Sequence, residues 1–317
     1  MKNKKTIVFA SIVLLVFIGY KYYSTKQKEE WVTENPATKY SEKREKAVWG
    51  GVLRGNDEQL FYGTPLYDAA KAMSGISYFR NDDEIEELIN QIPKDYINYQ
   101  EAKYGMTIGH FALRTYNYKA LRQLADRALN PNILDVYGDA IIIKINSSTY
   151  SYKLPESSQT LQHLIEKGAN VNLYSQNGQM PTPLISAANG GNLEHIKILV
   201  AAGANPHFLG DFNSPFRSPL STALVNRRME IINYFIFGQK VDFRTLKYPD
   251  YSKFHPGEYE ILHNLRELFF KLDSKEYKEK MRLVAYLKTQ GLDYWKTPIQ
   301  KRHIANPNYT AEYLSKY

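Results

Sequence analysis

Three short marks recur along this chain, and they limit what it can fold into. Gly168-Ala169-Asn170-Val171-Asn172, Gly203-Ala204-Asn205-Pro206 and Gly238-Gln239-Lys240-Val241-Asp242 begin 35 residues apart. A period of that size belongs to architectures that stack one small unit on the next. The unit is plainest over Gly178–Pro206, GQMPTPLISAANGGNLEHIKILVAAGANP. Thr182 is placed to cap a first helix, and Pro183 fits its first turn. Ala187 and Ala188 are small enough for a neighbouring helix to come close. Asn189-Gly190-Gly191-Asn192 breaks the chain. Leu193, Ile196, Ile198, Leu199 and Val200 mark a second apolar helix, which Gly203 stops before Ala204-Asn205 leads into a turn. One such pair cannot bury its apolar faces alone and needs copies on either side.

The copies are present, with more variation. Gly63-Thr64-Pro65-Leu66 with Asp68-Ala69-Ala70 opens one, followed by Asp83-Glu84-Ile85-Glu86-Glu87-Leu88-Ile89. Gly105-Met106-Thr107-Ile108-Gly109-His110-Phe111-Ala112 opens the next, followed by Ala120-Leu121-Arg122-Gln123-Leu124. Ser218-Pro219-Leu220-Ser221-Thr222-Ala223 opens the unit ending at Gly238, and a degenerate last unit runs from Met281 to Leu287, then Gly291-Leu292-Asp293. This pattern resembles the ankyrin repeat: a Thr-Pro-Leu-His helix start, a Gly-rich inner turn, an apolar second helix and a Gly-Ala-Asp/Asn stop. The resemblance implies an all-α ankyrin-repeat solenoid of about six helix-turn-helix units over residues 50–300. Irregular end copies suit the capping role of terminal repeats.

Two regions flank the repeats. Lys2, Lys4 and Lys5 precede an apolar run from Ile7 to Ile18, then Gly19, Tyr20, Lys21, Tyr22 and Tyr23. Thr6 to Tyr23 would reach about 27 Å as a helix at ~1.5 Å per residue, close to a hydrocarbon core of about 30 Å. The lysines should stay on the cytoplasmic side, with the tyrosines at the far interface. Residues 1–23 therefore read as a signal anchor spanning the inner membrane through residues 6–23. The competing readings are a cleaved signal peptide, which lacks its usual small-residue cleavage site here, and a buried helix, which the absence of a polar face argues against. Residues 24–49 read as a polar tether with a short helix near its end, and 301–317 as a C-terminal tail.

Charge is informative only once it is located. The net +8 is held by the ends: residues 1–28 carry six Lys and no acid, and 271–317 carry ten Lys or Arg against five Asp or Glu. The body between them sits near −3, so binding to nucleic acid is not expected. The Lys-rich stretch 272–291 reads either as a contact with anionic headgroups or as the solvated face of a capping repeat. In the second reading Met281, Leu283, Val284, Ala285 and Leu287 form its buried side. Cysteine is absent, which excludes disulfides, thiolate catalysis and sulfur metal sites.

Three spacers exceed the usual length, at about 138–158, 207–217 and 244–258. In the ankyrin plan the loops between units project as fingers on the ligand-binding side. Long loops in compact folds are functional or disordered, and aromatic side chains anchor interfaces. The candidate partner-binding residues are therefore Tyr150, Tyr152, Phe208, Phe212, Phe216, Tyr248, Tyr251 and Phe254. The alternative for each is that it packs back onto the repeats and pins its loop.

Nothing in the sequence assembles into a catalytic, cofactor or metal site. His110 occupies the ankyrin His position, where it resembles a residue that hydrogen-bonds the turn. His195 reads as a polar residue on a solvated helix face. His163 and Glu166 lie one turn apart without the second His of a zincin motif. There is no Gly-x-Ser-x-Gly elbow. The acidic run Asp82, Asp83, Glu84, Glu86 and Glu87 sits at a helix start, where the helix dipole favours it; the alternative is an acidic patch for a basic partner. Neither an enzyme nor a cofactor is expected. The chain reads as a protein-binding module, monomeric when unbound. An anchor followed by ankyrin-like repeats looks like the ankyrin-type immunity proteins of bacterial type VI secretion systems, especially those paired with lipase effectors. That resemblance implies a periplasmic location and a secreted, lipase-like toxin as partner. The alternative is a periplasmic scaffold that shields or chaperones another envelope protein.

Overall fold

The computed structural model describes residues 42–75, 81–147, 154–176, 180–211, 217–248, 257–306 and 309–317. They fall into two compact units: Met1–Ile141 with Glu166–Ala169, and Ile142–Ile165 with Asn170–Tyr317. The proposed anchor 6–23 and most of the tether lie outside the described residues. Among the described residues no helix is long and apolar enough to cross a membrane.

The described residues are helical, without β-strands beyond isolated bridges. After α1 (Glu42–Trp49), the helices follow in pairs. These are α2 (Tyr67–Ser74) with α3 (Asp82–Gln91), α4 (Ile108–Arg114) with α5 (Tyr118–Asp126), and α6 (Ile141–Lys144) with α7 (Leu154–Glu166). Then come α8 (Pro183–Gly190) with α9 (Leu193–Ala201), α10 (Pro219–Val225) with α11 (Met229–Asn233), and α12 (Glu260–Arg266) with α13 (Lys275–Thr289). Side-chain caps set many of the starts. Thr107, Thr182 and Ser218 each accept the amide three residues on, opening α4, α8 and α10. Asn117 and Asn192 do the same for α5 and α9. In the first unit α2 packs on α4 and α3 on α5; in the second α8 packs on α10, α10 on α12 and α11 on α13.

Each pair from the second onward ends alike. Ala128, Gly168, Gly203, Lys240 and Gly291 all have positive φ. Two residues later Asn130, Asn170, Asn205, Asp242 and Asp293 each accept, on a side-chain oxygen, the amide two positions further along. This corrects the third sequence mark. Residues Tyr234–Gly238 form a π-helical turn that lengthens α11, so Lys240 holds the stop conformation instead of Gly238.

The fold also absorbs parts of both flanks. Glu45 on α1 is fully buried, accepting the amide of Leu53 at 3.0 Å and Lys103 Nζ at 2.7 and 2.9 Å. The end of the stretch read as tether is thus docked into the first unit. In the second unit, α14 (Lys301–Ile304) and α15 (Ala311–Leu314) bring Tyr309, Tyr313 and Tyr317 against Phe269. The Tyr313 hydroxyl donates to the Phe270 carbonyl at 2.7 Å. Arg266 is buried among Tyr294, the Trp295 carbonyl and the Tyr317 carbonyl. The buried side of α13 is Lys280, Leu283, Val284 and Leu287, at helical spacing. Ala285 is exposed, against expectation, and Lys280 takes the extra core position. Lys280 Nζ donates to the Leu268 carbonyl at 3.0 Å and lies 4.0 Å from the centre of the Tyr317 ring. Burial, aided by the charge on Arg266, pulls its pKa down to about 6.

His110 behaves as the repeat pattern implies. It is buried, its Nδ1 meets the Thr107 amide at 3.1 Å and the Thr107 hydroxyl at 2.9 Å, and its Nε2 faces the Asp139 carbonyl at 3.2 Å. His195 does not match its sequence reading. It is fully buried instead of solvated, bonded to Asn146 Oδ1 at 3.0 Å and Ser157 Oγ at 3.1 Å. Asn146 in turn donates to the Ile142 carbonyl at 2.6 Å. This polar chain ties the third helix pair to the fourth inside the second unit. Burial lowers both imidazoles to about 4.

Two outcomes test this packing. Within α4, a Cβ at Gly109 would stand 2.3 Å from Leu129 Cδ2 and 2.8 Å from Ile141 Cδ1. Gly109→Ala should therefore cost about 1–3 kcal/mol in a urea unfolding titration; an unchanged midpoint would contradict the close approach. The buried histidines set a pH dependence. Below about pH 6.5 the unfolded chain takes up a proton at each imidazole, while the folded chain resists until about pH 4. The histidines' contribution to stability is thus fully present above pH 6.5 and is lost as pH drops through that window. The fall is up to about 1.4 kcal/mol per pH unit for each histidine. His195→Gln, which can still bond Asn146 and Ser157, should make the measured slope shallower by about that amount.

Candidate protein-binding surface

A backbone hairpin precedes each helix pair from the second onward. In the first unit Glu101 N donates to Met106 O at 3.0 Å, and the buried Glu101 carboxylate accepts the amides of Lys103, Tyr104 and Met106 at 2.7, 2.8 and 3.0 Å. Burial raises the pKa of Glu101 against these bonds. The next hairpin is bridged between Leu134 and Ala140. Asp135 Oδ1 accepts the amides of Tyr137 and Asp139 at 2.8 and 2.9 Å, closing the tip through Gly138 at positive φ. That closure turns Val136 and Tyr137 outward, at 60% and 59% exposure.

Three hairpins belong to the second unit. Ser175 N donates to Pro181 O at 2.9 Å, and Gly210 N to Arg217 O at 2.7 Å. The last is the longest: Glu260 N meets Leu246 O at 3.0 Å, Tyr248 N meets Glu258 O at 2.9 Å, and Gly257 N meets Tyr248 O at 3.1 Å. Tyr174 and Leu209 project from the first two of these and are about half exposed. A groove of about 300 Å³ opens beside them, lined by Val171, Asn172, Thr182, Leu184, Asn205 and Phe208.

The residues singled out in the sequence fall into three groups. Phe208 is half-buried on that groove, its ring 5.7 Å from that of Tyr174. Tyr248 is half-buried and packs edge-on against His263 at 5.8 Å, so its ring pins the last hairpin to α12. Tyr150, Tyr152, Phe212, Phe216, Tyr251 and Phe254 lie outside the described residues. Chain order still separates them. Phe212, Phe216, Tyr251 and Phe254 belong to segments joining one helix pair to the next, whereas Tyr150 and Tyr152 join the two helices of the third pair. The 138–158 spacer is therefore not one finger: its start closes the hairpin at Gly138, and its middle contains α6.

Sequence reading missed two features of this surface. Leu134, Val136 and Tyr137 are exposed on a hairpin too short to stand out by length. Arg217 and Glu260, both nearly fully buried, form an ion pair at the base of the last two hairpins. Arg217 also donates to the Lys247 carbonyl at 3.2 Å, and Ser221 Oγ donates to Glu260 at 3.3 Å. Burial raises the pKa of Glu260, and Arg217 opposes that rise. Either side chain alone would leave a buried charge uncompensated. Among the described residues no group of three His, Asp or Glu side chains is arranged to hold a metal ion.

Comparison with known proteins agrees with this geometry. A family model for ankyrin repeats matches residues 152–245 in three copies. An ankyrin repeat protein of Acanthamoeba polyphaga mimivirus is 28% identical over 173 residues, which cover 51% of this chain. The matched part is 44% of that protein, so the chain spans less than half the length of this relative. Residues 152–245 are thus similar to three ankyrin repeats, a protein-interaction module, and the helix pairs α7 to α11 with the hairpins between them are the structure of that stretch.

Proposed function

We propose that this chain binds another protein through its hairpin tips. The observation that carries the reading is the placement of exposed large apolar side chains. Leu134, Val136 and Tyr137 stand on the hairpin that Asp135 closes, and Tyr174 and Leu209 flank the backbone bonds that close the next two hairpins. Apolar groups on a rigid frame lose little conformational freedom on binding, which raises the affinity a given contact area delivers.

The finer reading is an immunity protein on the periplasmic side of the inner membrane, which binds an incoming lipase-like toxin and occludes its active or membrane-docking face. The basic and apolar N-terminal sequence supports it. Tethering a binder at the membrane under attack raises its effective concentration without any new contact. The resemblance of the whole plan to ankyrin-type immunity proteins gives the toxin class.

Capture tests both levels. The full chain in detergent micelles, mixed with periplasmic extract and with the products of adjacent genes, should retain one stoichiometric partner. Loss of that partner's lipase activity on binding would support the immunity role; a partner without hydrolase activity would favour an envelope scaffold. Val136→Asp combined with Tyr137→Ala should weaken capture by at least about tenfold, the loss of one interface anchor, with the unfolding midpoint unchanged. Capture that survives those changes and Leu209→Asp would contradict binding through the tips.

A further inference from the structure

Two arginines of the first unit are seated without anything to hold. Arg54 lies between α1 and α2, and Arg114 ends α4. The Arg114 guanidinium lies flat against Gly55, where a Cβ would stand 2.6 Å from its Nε and 2.7 Å from its Cζ. Only glycine lets the backbone come that close. Among the described residues neither guanidinium has a hydrogen-bond or ion-pair partner. The neighbouring carboxylates are already engaged. Asp57 Oδ2 accepts the backbone amide of Arg54 at 2.6 Å, and Asp135 Oδ1 accepts the amides of Tyr137 and Asp139.

Both arginines line a pocket of about 360 Å³ with Tyr104, Met106, Asp135 and Tyr137. Its walls are fixed. The Tyr104 hydroxyl donates to the Leu53 carbonyl at 2.8 Å, and its ring lies 6.2 Å from that of Tyr137. Lys103 holds the same Leu53 carbonyl at 2.7 Å while paired with the buried Glu45. Two guanidinium forks over an aromatic wall suit a planar anion, which each can meet with parallel N–H donors.

We propose that this pocket receives a carboxylate side chain, Glu or Asp, presented by the bound protein and clamped between Arg54 and Arg114. The proposal rests on the binding role assigned to the hairpin tips, since Tyr137 belongs to both. Asp135 on the rim weakens the hold on any anion, and a Glu or Asp side chain offsets this with a methylene stem against Tyr104 and Tyr137, which inorganic phosphate lacks.

The test uses the full chain in micelles and a dye-labelled peptide with two adjacent Glu, its Gln counterpart, and inorganic phosphate as competitor. The Glu peptide should bind in fluorescence anisotropy at least about tenfold more tightly than the Gln peptide. Arg54→Gln and Arg114→Gln should each remove most of that difference. Arg114→Lys, which keeps the charge and loses the fork, should remove part of it. Gly55→Ala, which displaces the guanidinium and leaves every charge in place, should weaken binding as well. Both arginines are exposed, so thermal unfolding of the arginine variants should match the parent. Equal binding of the two peptides, parental binding by both Gln variants, or competition by phosphate as strong as by the unlabelled Glu peptide would each overturn the proposal. None of these outcomes bears on capture through Val136 and Leu209, which decides the broader role separately.

Discussion

One small hydrogen bond recurs wherever these repeats keep their register. The carboxamides of Asn98, Asn132 and Asn172 reach forward to the stop carbonyls of the next pair, Ala128, Gly168 and Gly203, at 3.1, 3.1 and 2.9 Å. Asn98 and Asn172 also accept the amides of Asn130 and Asn205 at 2.7 and 2.8 Å. The rungs fall where each second helix ends and the next hairpin begins, so one residue type sets both the spacing of pairs and the aim of the hairpins. Where the series breaks, another contact takes over. His207 stands in the next equivalent position and makes no such rung among the described residues. There the buried Arg217–Glu260 pair joins the adjacent hairpins instead.

Much of this plan is legible in the sequence because it is local. Thr182-Pro183-Leu184 and Ser218-Pro219-Leu220 announce caps that the structure builds from the same side chains. His110 follows from its place in the repeat pattern. The failures are non-local. Asn146 and Ser157, which hold His195 as a buried residue, are 49 and 38 positions away, on the preceding helix pair. Lys280 is core because the folded tail supplies Tyr317 above it, and no window around α13 contains that information. The shift of the third stop to Lys240 comes from a π-turn that leaves the apolar pattern of α11 intact. For the surface, loop length drew attention to segments between helix pairs and passed over the short Leu134–Ala140 hairpin. Its exposed apolar tip depends on how Asp135 closes the turn.

Stability and the proposed recognition share the same segments. The hairpins carry buried charge at their bases, Glu101 in the first unit and Arg217 with Glu260 in the second. A buried carboxylate filled by three backbone donors, or by an arginine fork, stiffens a turn with no hydrophobic core of its own. The tips can then spend their apolar side chains outward, where a lone surface loop would collapse onto the protein. Burial of Lys280 and Arg266 beneath the tyrosines of the tail covers the apolar end of the last pair in the second unit.

In the proposed binding role the hairpins, rather than the turns inside each helix pair, form the partner surface. Hydrogen–deuterium exchange of the chain alone and in complex with its captured partner addresses it directly. The binding reading calls for new protection at residues 134–140 and 174–181, with unchanged exchange at the inner turns 115–117 and 190–192. Protection confined to those inner turns, with the hairpins exchanging as in the free chain, would contradict it.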